Sequence, residues 1–195
     1  HAIGDGAINQ SLNAIEAMAK RNPKWDRRPV IVHAQLIAPT DLARFQELDI
    51  IANFQPLWTY LDPMNKELIE PRIGNGRNNR QYQLRTLLDL NTKISFGSDW
   101  PVTSHKPLEA IFIPVLRKVP GTSEQAWNIT EAISLEESLT AYTTNAAYQL
   151  FSETQIGKLE PGMQANFVVL DKSPFLSTEV CIKSVWISGL KVRED

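Results

Sequence analysis

Three side chains of this 195-residue sequence stand where short apolar runs end or a helix is about to begin: His1, His33 and Asp99. His33 closes Pro29-Val30-Ile31-Val32, a β-branched run of the kind that forms a buried strand, and Asp99 follows Lys93-Ile94-Ser95-Phe96-Gly97-Ser98. The spacing is regular: 32 residues separate His1 from His33, and 66, two steps of 33, separate His33 from Asp99. An eight-unit strand-helix barrel uses about 250 residues, or roughly 31 per unit. The three residues thus fall at the C-terminal ends of strands k, k+1 and k+3, which converge on one face of a parallel barrel.

Two imidazoles and a carboxylate gathered there have the ligand set that suits zinc or another borderline divalent ion. Asp99 invites a second role, because a carboxylate beside a metal-activated water can take its proton and pass it to a leaving nitrogen. Plainer readings stand beside these. A histidine at a strand end is commonly just hydrogen-bonded, and Asp99 in Gly97-Ser98-Asp99-Trp100-Pro101 can cap a turn, with Gly97 and Pro101 allowing a sharp, close-packed exit. Asp5 can orient His1 or cap the following helix. His105 is out of step with the period and is left without a role. Trp58, Tyr60, Arg72 and Arg77 can shape a substrate pocket or simply cover the strand ends, and Trp100 sits beside them in this reading.

The elements that must position these residues alternate. Ile8, Leu12, Ile15 and Ala19 recur at helical spacing over 7–20, before Asn22-Pro23. A strand is expected at 29–33, a helix from Pro39 to about Leu48, and a strand at 49–54. The stretch 56–79 is too long for an ordinary connection of about 2–6 residues and reads as an active-site loop or lid. A helix over 80–90 and a strand over 93–98 follow, then a helix over 107–117 that Pro114 would kink. Ser134-x-x-Glu137 is a capping box opening a helix to about Leu150. Beyond Gly157-Lys158-Leu159-Glu160-Pro161-Gly162 the pattern turns to strands at 166–170, 180–187 and 190–192, with a Ser188-Gly189 turn between the last two. The expected fold class is α/β, with a parallel sheet or barrel over 1–150 and a small β unit over 151–195.

Composition narrows the function classes. With 43% hydrophobic and 22% charged residues the chain can bury a core, which excludes disorder and coiled coil. Its formal charge of −2 and scattered Lys and Arg leave no phosphate-binding footprint, so no nucleic acid is expected. No apolar run approaches the roughly 20 residues that span a bilayer, so no membrane partner is expected. A single cysteine, Cys181, makes a reducing, cytoplasmic setting the default.

Several segments carry a family resemblance. His1-Ala2-Ile3-Gly4-Asp5, Val32-His33-Ala34-Gln35, Gln55-Pro56, Gly97-Ser98-Asp99-Trp100-Pro101-Val102, Thr144-Asn145-Ala146-Ala147 and the run Gly157–Leu170 resemble, in order, the C-terminal half of the amidohydrolase superfamily. The branch is the amidohydrolase 3 group that includes N-substituted formamide deformylases. The resemblance implies the C-terminal half of a distorted TIM barrel, from the end of strand 5 to strand 8, and then strands of a composite sandwich domain. It places His1, His33 and Asp99 at the metal-binding ends of strands 5, 6 and 8. It also implies hydrolysis of an amide or other non-peptide C–N bond of a small-molecule substrate by a metal-activated water, with one or two divalent ions, zinc foremost.

No His-x-His occurs in the sequence, and nothing here corresponds to strands 1 to 5, so half of the family's metal site is missing. The expectation is a fragment of low activity that needs its N-terminal half, or a homo-oligomer, to cover two open sheet edges. Two rivals remain. One is a non-catalytic regulatory protein of this fold, controlling enzyme production for example; the other is a copper site built from the α-amine and imidazole of a processed His1 together with His33.

Overall fold

The computed structural model describes residues 1–194. Helix α1 (Asp5–Arg21) leads to strand β1 (Val30–Val32), then α2 (Leu42–Glu47) and β2 (Ile51–Phe54). Two short helices, α3 (Glu70–Ile73) and α4 (Asn75–Asn78), precede α5 (Leu84–Asp89) and β3 (Ile94–Phe96). Helices α6 (Ile113–Leu116), α7 (Leu135–Tyr142) and α8 (Thr144–Gln149) come before the terminal strands β4 (Phe167–Leu170), β5 (Ile182–Ile187) and β6 (Leu190–Glu194).

Strands β1, β2 and β3 form a parallel sheet in that order, with Val32 opposite Asn53 and Asn53 opposite Ser95. Ala2 extends it by one position: its N–H donates to Val32 O at 3.1 Å and its carbonyl accepts from Ala34 N at 3.1 Å, a parallel bridge to His33. His1 therefore stands at the edge next to β1, as the 33-residue period requires. Strand alternation divides the sheet into two faces. Ile31, Ala52, Phe54, Ile94 and Phe96 pack into the core with Ile8 and Leu12 of α1, Phe45 of α2, and Leu84 and Leu87 of α5. Asn53 and Ser95 occupy the other face.

The expected lid over 56–79 is not an open loop. It folds into a 3₁₀ turn (Pro56–Trp58), a π-helical turn (Asn65–Ile69), α3 and α4. Buried amides tie it to the sheet: Gln35 Nε2 donates to Gln81 Oε1 at 2.5 Å and to Asn65 Oδ1 at 3.2 Å, and Gln81 Nε2 donates to Asn78 Oδ1 at 2.7 Å. The helix expected over 80–90 starts only at Leu84, because Gln81 is taken by an antiparallel bridge to Leu36 and Tyr82 turns left-handed at φ 53°. Pro114 does not kink a long helix; it lies in the first turn of the short α6, where its missing N–H costs nothing. The capping box forms as expected, with Ser134 Oγ accepting from Glu137 N at 3.1 Å, but Thr143 breaks the helix into α7 and α8.

The terminal strands form a separate antiparallel sheet, β4-β5-β6, closed by the Ser188-Gly189 turn with φ of 51° and 78°. The connection that leads to it passes close to the start of α8 at Gly157. That residue has φ 95°, and a Cβ there would lie 2.7 Å from Ala147 Cβ and 3.1 Å from Thr143 O. We expect Gly157→Ala to destabilise the fold by about 2–5 kcal/mol, combining left-handed strain with overpacking. Urea denaturation of the full-length protein checks this, and an unchanged midpoint would refute the close approach.

Candidate functional site

The site is built on the turn that leaves β1. His33 has φ 76° and Ala34 φ 44°, two successive left-handed residues that are not glycine. Such strain persists only where neighbours fix it. Here His33 N donates to Asn53 O at 2.8 Å, and Ala34 N donates to the Ala2 carbonyl.

The His33 ring, 5% exposed, is held on three sides. Its Nδ1 is 2.7 Å from Gln55 Oε1, its Nε2 is 2.9 Å from His1 Nδ1, and the indole of Trp58 stacks on its face at 5.3 Å, 10° from parallel. Gln55 Nε2 donates to Asn53 Oδ1 at 3.2 Å, so Gln55 Oε1 is the atom facing His33. Since that oxygen only accepts, the proton belongs on His33 Nδ1 and the lone pair on Nε2, which then accepts from His1 Nδ1–H. One proton lies between the two imidazoles at the point where both nitrogens aim. Two imidazole nitrogens sharing a tetrahedral ion stand about 3.3 Å apart. The pair at 2.9 Å is within a few tenths of an ångström of that and fits a divalent cation in place of the proton.

The support continues inward. Asn53 Nδ2 donates to Ser95 Oγ at 2.9 Å and to Gln149 Oε1 at 3.3 Å, and Ser95 Oγ donates to Gln149 Oε1 at 2.5 Å. The sequence reading gave none of these residues a role. The signal was present in Ile51-Ala52-Asn53-Phe54-Gln55, where the two amides share one face of an otherwise apolar strand.

The other expected site residues are less closely gathered. Asp99 lies beyond β3 at φ 54°, half-buried, with its carbonyl accepting from Val102 N at 2.8 Å. Among the described residues no group of three or more His, Cys, Asp and Glu side chains could hold a metal ion, so Asp99 is not joined to the histidine pair. Gly97 is not needed for a close-packed exit, since a Cβ there would meet only Asn53 atoms at 3.6 and 3.9 Å. Asp5 neither orients His1 nor caps the helix with its side chain. Gly4 is the N-cap, while Asp5 accepts from Gly6 N at 3.0 Å and lies 3.5 Å from Arg77. Arg72 is exposed and folds back onto Leu68 O at 2.5 Å. Trp100 is 66% exposed and meets His105 edge-on at 6.2 Å.

Gln55→Leu removes the acceptor of the His33 Nδ1–H. The expected loss is about 1–3 kcal/mol of stability, with mixed His33 tautomers replacing the Nδ1–H form in long-range ¹H–¹⁵N spectra. A variant with unchanged tautomer and stability would make Gln55 a bystander.

Comparison with known proteins places this site in a family. The amidohydrolase family matches residues 1–190. The protein LONG AFTER FAR-RED 3 of Arabidopsis thaliana is 37% identical over 171 residues, covering 87% of this chain and 29% of that protein. The amidohydrolase YtcJ of Bacillus subtilis is 32% identical over 178 residues, covering 90% and 32%. The N-substituted formamide deformylase of Arthrobacter pascens is 27% identical over 176 residues, covering 89% and 31%. Among solved structures, an uncharacterized metal-dependent hydrolase of Pyrococcus furiosus matches with TM-score 0.67 and 32% identity over 85% of this chain and 31% of its own. One from Pyrococcus horikoshii matches with TM-score 0.75 and 26% identity over 91% and 34%. The chain thus spans about a third of the length of the relatives it matches. On the family match and these identities together, the chain belongs to the amidohydrolase family, in its amidohydrolase 3 branch.

Proposed function

We propose that the protein carrying this chain hydrolyses an amide or related non-peptide C–N bond of a small molecule, with a divalent metal held in part by His1 and His33. The observation that carries this reading is the imidazole pair at the end of β1, two ring nitrogens 2.9 Å apart with one proton between them and His33 locked by Gln55. Nitrogen donors on a rigid turn suit zinc, and metal-ligating histidines ordinarily donate their other ring N–H to a fixed acceptor, as His33 does to Gln55. In this reading the sheet is the second half of a (β/α)₈ barrel, the terminal strands belong to a composite sandwich domain, and the remaining ligands come from a further segment of the protein or a second copy. The compartment proposed is the cytoplasm; among the described residues no helix is long and apolar enough to cross a membrane.

A bound divalent ion would supply Lewis acidity toward the scissile carbonyl and favour deprotonation of water. The chain's own residues do the rest. Gln55 and Trp58 hold the His33 ring in one tautomer and orientation, so its Nε2 needs no rearrangement to bind. Asp99, half-buried beyond β3 and not joined to the histidine pair within this chain, is the carboxylate this reading assigns to take the proton of the attacking water on an oxygen and return it to the leaving nitrogen. Trp58 covers one face of the His33 ring, and the exposed face of Trp100 offers an apolar surface to a substrate.

The test is elemental analysis of the full-length protein for zinc, iron, manganese and copper, with hydrolysis of N-substituted formamides and N-acyl amines. His33→Ala is expected to lose bound metal and turnover together. Asp99→Asn is expected to keep metal while kcat falls about 10²–10⁴-fold. Full turnover in His33→Ala would refute the assignment. A regulatory reading is favoured by one finding: the relative at 37% identity is named for far-red rather than for hydrolysis. A full-length protein without metal or turnover that binds a partner tightly would decide for it.

A further inference from the structure

Five hydrogen bonds run from the His33 ring to the last residue of α8, and all of them point the same way. The His33 Nδ1–H donates to Gln55 Oε1 at 2.7 Å and Gln55 Nε2 to Asn53 Oδ1 at 3.2 Å. Asn53 Nδ2 donates to Ser95 Oγ at 2.9 Å and to Gln149 Oε1 at 3.3 Å, and Ser95 Oγ donates to Gln149 Oε1 at 2.5 Å. The chain ends there, because a carbonyl oxygen accepts and passes nothing on. Gln149 closes α8, whose place on the sheet is fixed by Asn145 donating to Ile94 O at 2.8 Å and by Arg28 donating to Tyr148 O at 2.5 Å.

The same five contacts also close in reverse. With the three amides turned over, Gln149 Nε2 donates to Ser95 Oγ and Asn53 Oδ1, the Ser95 hydroxyl to Asn53 Oδ1, Asn53 Nδ2 to Gln55 Oε1, and Gln55 Nε2 to His33 Nδ1. His33 Nε2 then carries the proton, so the nitrogen that faces His1 Nδ1 at 2.9 Å has no lone pair for a cation. Gln55, Asn53 and Ser95 are buried and answer only to one another, so the direction is decided at the two ends. At one end His1 is exposed, and its imidazole serves equally as donor or acceptor. At the other, Gln149 Oε1 takes two donors at once. Without that oxygen the Ser95 hydroxyl, 0% exposed, is a buried donor lacking an acceptor as long as the chain points toward α8. Reversal gives the hydroxyl a partner again in Asn53 Oδ1.

We propose that Gln149 is a positioning residue: as the terminal acceptor it sets the direction of the chain and so keeps the proton on His33 Nδ1 and the lone pair on Nε2. It acts through Ser95, Asn53 and Gln55. The tautomer requires neither metal nor turnover; the consequence for a bound divalent cation is the one clause that rests on the hydrolase reading above.

The test is made on metal-free full-length protein labelled with ¹⁵N-histidine, in long-range ¹H–¹⁵N spectra with the His33 signals identified by their loss in His33→Ala. The unaltered protein is expected in the Nδ1–H form. Gln149→Met, of similar length without the acceptor, is expected to shift His33 to the Nε2–H form, and Gln149→Glu, an acceptor at the same place, to retain Nδ1–H. A merely structural role would lower stability without moving the tautomer. Ser95→Ala leaves only the 3.3 Å bond to Gln149 and is expected to show both forms, so it decides if Gln149→Met fails to fold. An Nε2–H form in the unaltered protein or in Gln149→Glu would overturn the proposal. So would an unchanged Nδ1–H form in Gln149→Met, or in Ser95→Ala where Gln149→Met does not fold. In competition titrations with a zinc chelator, Gln149→Met is expected to hold zinc about 10–100-fold more weakly. A His33 tautomer that follows Gln149 in a protein that binds no zinc would overturn the metal reading and leave the positioning role standing.

Discussion

The site depends on the parallel register of very short strands. His33 N bonded to Asn53 O, Gly97 N to Phe54 O and Ala2 bridged to His33 leave little freedom in where each strand ends. A slip of one residue would turn Asn53 and Ser95 into the helix-facing core and bring Ala52 and Phe54 out of it. The helix layer prevents that, because Phe45, Leu84 and Leu87 are shaped around Ala52, Phe54 and Ile94. Apolar packing on one face therefore fixes the polar arrangement on the other, and the positions of His1 and His33 follow from backbone bonds rather than from their own side chains.

The polar face is the unusual one. Buried strands of a parallel sheet are ordinarily near-continuous apolar runs, yet here Gln55, Asn53, Ser95 and Gln149 run from the His33 ring to α8. Buried amides are tolerated because each satisfies another, and such a chain loses more than one bond when a member is removed. The second amide chain, Gln35 to Gln81 to Asn78 and on to Glu70, does the same for the segment above the strand ends. Turn, ring and overlying segment are thereby held by hydrogen bonds of fixed direction rather than by a packed apolar interior.

This division explains what the sequence could disclose. The 3.6-residue and two-residue periods report apolar faces, so α1, the three parallel strands and the terminal hairpin were legible, as was the Ser134 cap. The helix breaks at Thr143 and before Leu84 were not, because both sit at contacts distant in sequence: Gly157 lies close against Thr143 and Ala147, and Leu36 pairs with Gln81. At the site, spacing put His1, His33 and Asp99 at strand ends, and the structure brings the two imidazoles together without Asp99. The supports of His33 were hidden in side-chain hydrogen bonds that no periodicity encodes. Asp5 misled for the same reason: its sequence neighbour is His1, but its ion pair is with Arg77, 72 residues away.

The imidazole pair and the Arg28 clamp sit at opposite ends of the sheet. At the strand starts, Arg28 donates to both oxygens of Glu153 at 2.9 and 2.7 Å and to Tyr148 O at 2.5 Å, and lies 3.7 Å over the Tyr148 ring and 4.1 Å over Phe151. This clamp ties the approach to β1 to the end of α8, while Asn145 Nδ2 donates at 2.8 Å to Ile94 O of β3. α8 therefore braces the sheet at its strand starts through Tyr148, along the β3 backbone through Asn145, and from beneath the polar face through Gln149. A helix of six residues could not be stable alone. Its three contacts make it part of the scaffold from which the left-handed turns at His33, Ala34 and Asp99 leave the strand ends.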